Sequence, residues 1–184
     1  MVQDSIILGV HFKVSLILGK EHNKDLLKFL KPFPKEVQDT ALALREFVWD
    51  LYPDTNELIY DNYNALAFGW TPTEKMGHIF SSIAVGRSSY NIHFGFMWGS
   101  KLTDPKKILL GEGNQYRYIL VKKFEDFPMT YMKKLIKEAY LNSLKMIKPV
   151  PAKDKDKKPL RGATITKSIS PVKRKVAKRL EKKK

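Results

Sequence analysis

Between Glu57 and Lys123 the chain runs through five consecutive β-type segments, and a helix-patterned segment stands on either side of them. That order constrains the fold most. Strands taken in succession and bracketed by helices argue an antiparallel sheet of about five strands with helices packed on one face, an α+β layer architecture. The first pair is Glu57–Tyr60 and Asn64–Trp70, with Asp61, Asn62 and Asn64 supplying a polar turn. A Thr71–Lys75 loop leads to a third strand over His78–Val85. Gly86–Ser89 is a turn, Tyr90–Trp98 is a fourth strand ended by Gly99, and Tyr116–Lys123 is the fifth. Asp104–Leu110 is predicted as a single helical turn, with Asp104 as cap and Pro105 in the first position.

The flanking helices show 3.6-residue periodicity. Asn23–Leu30 is a short helix stopped by Pro32 and Pro34. Pro34 then opens a longer helix to Leu51, because its missing N–H costs nothing in the first turn. Val37, Ala41, Leu44, Val48 and Leu51 make one apolar stripe. Pro128 opens a last helix to about Ile147, with Met132, Leu135, Ile136, Ala139 and Ser143 predicted to face inward.

Charge divides the chain. The net charge is +15, and 153–184 holds 14 Lys and Arg against 3 Asp and Glu, leaving +4 for the other 152 residues. Beyond Pro149 no apolar periodicity persists, so 150–184 reads as a disordered basic tail. Its last twelve residues carry eight cations: Lys173, Arg174, Lys175, Lys178, Arg179, Lys182, Lys183 and Lys184. Such a segment binds polyanions, nucleic acid among them, by counterion release and with little sequence readout. It lacks the interleaved aromatics that base stacking needs. At the other end, Ile6–Leu18 is apolar but interrupted by His11 and Lys13, and it is shorter than the roughly 20 residues of a spanning helix. Residues 1–22 are therefore read as an extension, with no membrane role, and 23–149 as the domain. No cysteine is present. That excludes disulfides and thiolate catalysis and suits a cytoplasmic protein.

No catalytic motif stands out, neither a nucleophile elbow nor a zinc-binding histidine pair nor a phosphate loop. The expected function is non-enzymatic, with no catalytic residue assigned. His78 and His93 could meet across strands, although a structural role is the simpler reading. Asp61, Tyr63 and Asn64, near Tyr60 and Trp70, are candidates for a small-ligand pocket. Gly111, Gly113 and Arg117 form a second candidate, an anion cradle of backbone N–H groups with a charged contact. A tight turn setting strand register explains the same glycines. If Asp61, Tyr63 and Arg117 converged, they would make an enzyme site.

Two blocks, Glu57–Gly69 and Leu102–Gly113, stand in this order ahead of the strand-like Tyr116–Lys123. Together they resemble the YdhG-like family, small α+β domains mostly of unknown function, over about residues 23–147. The sequence departs from the family's pattern at Glu112, Asn114 and Tyr118, where threonine, a basic residue and histidine are expected. One branch of the family is described as frataxin-like iron chaperones, for which acidic helix ridges are the expected iron-binding feature. On the 34–51 helix, Glu36, Asp39, Glu46 and Asp50 fall within a sector of about 80° at 100° per residue. The resemblance therefore implies iron as a cofactor or cargo of that ridge, against the simpler reading of a solvated face.

Overall fold

The computed structural model describes residues 18–21, 24–149 and 160–170. Helices α1 (Leu18–Glu21), α2 (Lys24–Leu30) and α3 (Lys35–Leu51) precede five strands. These are β1 (Asn56–Asn62), β2 (Ala65–Thr71), β3 (Ser81–Gly86), β4 (Ile92–Phe96) and β5 (Arg117–Val121). Helix α4 (Met129–Lys145) and strand β6 (Thr164–Ser170) follow. The sheet order is β5-β4-β3-β2-β1-β6.

The five expected strands are antiparallel neighbours in chain order. Two corrections apply at the outer edge of β1. The sheet is mixed, because β6 pairs with β1 in parallel. The segment beyond Pro149 is also not uniformly without structure, since 164–170 is a strand whose Thr-Ile-Thr run suits a pleated edge. The registers shift between Ile59 and Tyr60, so β6 carries a bulge.

Period-two alternation places one row of apolar side chains across five strands: Ile59, Phe68, Ile83, Phe94 and Ile119. All five are buried beneath α2, α3 and α4 in a single core. Each such side chain contributes about 1.5–3 kcal/mol by leaving water. The predicted inward residues of α4 are all buried, and so are Val37, Ala41, Leu44 and Val48 of α3. The opposite sheet face is built from small residues with a few rings. His93 stacks on Tyr118 at 4.0 Å, and Tyr116 crosses Gly95, where an added Cβ would stand 2.1 Å from the phenol oxygen.

Residues 104–110 form no helix. The Asp104 carboxylate accepts from Leu109 N–H at 2.9 Å and from the Tyr131 hydroxyl at 2.5 Å, which fixes an open loop onto α4. Glu138 holds the same loop by accepting from Thr103 N–H and Oγ1. The third strand starts later than expected because Met76–His78 coils into a 3-10 turn.

Candidate functional site

The core face becomes polar where it reaches β1. Glu57 and Asp61 flank Ile59 on that face, and both are buried. Two buried carboxylates need partners, since unpaired charge in an apolar interior costs several kcal/mol. Each receives an arginine from a different element.

Asp61 is taken by Arg87, from the connection between β3 and β4. Arg87 Nε also donates to Asn62 O at 2.8 Å, and its backbone N–H donates to Asn64 O at 3.0 Å. The guanidinium lies over Phe33 at 5.5 Å, and Phe33 meets Tyr90 edge to face. Burial pushes the Asp61 carboxyl above its ordinary range, and the Arg87 cation opposes that rise. Asp61 and Asn62 therefore lie in β1 and are not turn residues; the turn is Tyr63–Asn64, both exposed. Tyr60 and Trp70 point to opposite faces of the sheet, so they do not wall a pocket with the hairpin tip. This constellation clamps one hairpin to the next.

The glycine turn stands at the far edge. Gly111 has φ +109, a left-handed conformation that suits glycine. Leu110 and Tyr118 exchange backbone hydrogen bonds of 2.7 and 3.1 Å across it. Arg117 folds back, with Nη1 donating to Gly113 O and, at 2.9 Å, to Tyr116 O. Its guanidinium closes the loop in place of an anion contact. Four strand spacings separate β1 from β5, about 19 Å. Asp61, Tyr63 and Asn64 thus share no cavity with Gly111, Gly113 and Arg117, and an enzyme site built from both groups has no geometric basis.

On α3, Lys35 pairs with Asp39, while Lys20 of α1 bridges Glu46 at 3.1 Å and Asp50 at 2.5 Å. Those carboxylates raise the Lys20 pKa, Asp50 most strongly. Glu36 and Asp50 are fourteen residues apart, about 21 Å along the axis. Among the described residues no group of three or more His, Asp or Glu is arranged to hold a metal ion. His78 bonds Thr73 at 2.9 Å and does not meet His93, and burial lowers the pKa of both rings. The eight cations of 173–184 lie outside the described residues, as do residues 1–17.

The most deeply buried polar assembly belongs to Glu57. Arg45 of α3 meets it in bidentate fashion, Nε to Oε1 at 2.8 Å and Nη2 to Oε2 at 2.7 Å. Arg45 also donates to the carbonyls of Gly19 at 2.9 Å and Lys20 at 3.0 Å. Thr164 of β6 lies 2.7 Å from both Glu57 Oε2 and Gly19 O, and its one proton serves either. One ion pair thereby ties α1, α3, β1 and β6 together. Sequence reading passed over it, although Arg45 lies four residues from Ala41 and three from Val48, on the apolar side of its helix.

No family model, curated protein or solved structure matches the chain. Among the described residues no helix is long and apolar enough to cross a membrane.

Proposed function

We propose that the protein is a cytoplasmic, non-enzymatic binding domain of YdhG-like type whose basic C-terminal segment attaches it to nucleic acid or a similar polyanion. The observation that carries this reading is the charge distribution, +11 of the +15 in 153–184, with eight cations in the last twelve residues. Strand β6 ends at Ser170, three residues before Lys173, so the basic stretch is tied to the sheet edge. Affinity of this kind comes from released counterions and falls steeply with salt.

The test replaces all eight of these Lys and Arg by Gln in the full chain and titrates both proteins onto duplex DNA across a salt series. If every cation meets a phosphate, the slope of log affinity against log salt is about −7 for the parent chain. The substituted chain should lose most of that slope. Equal affinity and slope in the two proteins would overturn the reading.

A further inference from the structure

A cavity of about 340 Å³ opens between the C-terminal half of α4, the segment entering β3 and the turn that follows β4. Its inner wall is apolar. Phe80, buried against Tyr52 and Tyr140, forms the floor, with Leu102 and Met146 at the sides. Met146 can adapt its thioether to an irregular ligand. Trp98 is fixed by its indole N–H, which donates to Gly77 O at 2.8 Å.

The polar groups around this wall share one character. Lys101 places its ammonium 5.2 Å from the Trp98 ring centroid, and Lys145 lines the same cavity. Among the described residues no carboxylate pairs with either lysine, and the Asn142 side-chain amide makes no hydrogen bond. Among the described residues no acidic residue lines the cavity. The end of α4 presents partial negative charge, about half a unit, which two full cations outweigh. An apolar floor with a rim of two cations and an amide is complementary to an anion carrying an apolar body.

We propose that this cavity binds a small carboxylate with an apolar body, its carboxylate between Lys101 and Lys145 and its body on Phe80, Leu102 and Met146. The volume lies at the small end of ligand sites, which span about 300–1,000 Å³. The site is separate from the basic segment and does not depend on it.

The test uses the full chain, labelled with nitrogen-15 and titrated with octanoate, octylammonium and acetate. Trp98 lines the cavity and Trp49 and Trp70 do not, so of the three indole N–H signals that of Trp98 should move most. Octanoate should move it saturably, acetate should not for want of an apolar body, and octylammonium should not because of its charge. The Lys101→Gln/Lys145→Gln variant alters two exposed side chains and should weaken octanoate at least about tenfold. Unsaturable shifts, equal response to octylammonium, or unchanged octanoate affinity in the variant would each overturn the proposal.

Discussion

Breaking the Arg45–Glu57 pair should be among the most damaging single changes available in this fold. Glu57 has a side chain of 0% exposure and Arg45 one of 5%, so neither charge can recover water when its partner is lost. Arg45→Met leaves a buried carboxylate with only the Thr164 hydroxyl. Glu57→Leu leaves a buried guanidinium with the Gly19 and Lys20 carbonyls. Removing one member of such a pair costs about 3–5 kcal/mol. For a chain of this size that lowers Tm by about 10 °C. The double variant, Arg45→Met/Glu57→Leu, leaves no orphaned charge. It loses only the bonds to two carbonyls and one hydroxyl, about 1 kcal/mol each. It should therefore be no worse than either single change, with a coupling of at least about 2 kcal/mol. Urea unfolding followed by tryptophan fluorescence measures all three. The pair Lys35–Asp39, with side chains 79% and 56% exposed, is the control. Lys35→Ala should cost under about 0.5 kcal/mol. If either buried single change costs under about 1 kcal/mol, or if the two add, the account of β1 as a strand held to α3 by the Arg45–Glu57 pair is wrong.

A chain ending at Ser170 should unfold at the same temperature as the full chain, since it keeps all of β6. A chain ending at Pro149 should unfold at least about 5 °C lower, because it strips the outer edge of β1 and removes Thr164 from Glu57. Equal melting of the two truncations, by circular dichroism, would deny β6 its place. At the other acid of β1, the sign of the pH dependence follows from burial. The Asp61 carboxyl sits above the 3.8 of a free aspartate, so the folded protein holds that proton where the unfolded chain has released it. Its contribution is fully present below that ordinary value and is lost as pH rises through the folded value. Arg87→Gln removes the opposing cation and should steepen this loss between about pH 4 and 7, while Asp61→Asn should flatten it. Urea midpoints across that range decide it, and an Arg87→Gln profile parallel to the parent would refute the assignment.

What could be read in advance follows from where the determining contacts lie. The stripe from Val37 to Val48 and the inward set from Met132 to Ser143 repeat at 3.6 residues, so local sequence announces which side each helix buries. The five antiparallel strands are similarly local, each paired with its neighbour in the chain. Strand β6 is different: its partner β1 lies about a hundred residues earlier, and only the β-branched run Thr164-Ile-Thr166 hints at a strand amid lysines. Glu57 reads as the start of a strand and Asp61 as a turn residue, because nothing beside them shows that they are buried. Their partners stand 12 residues before Glu57 and 26 after Asp61. The glycine-turn candidate is hidden for a different, local reason. Gly111, Gly113 and Arg117 form a closed turn because Arg117 can reach backbone carbonyls next to it, a contact that motif reading cannot distinguish from an anion site. The Lys101–Lys145 cavity carries no motif, since its walls come from three separated segments that meet only after the sheet is assembled. A charge on an otherwise apolar helical stripe was the one local clue to the buried chemistry, and Arg45 is that charge.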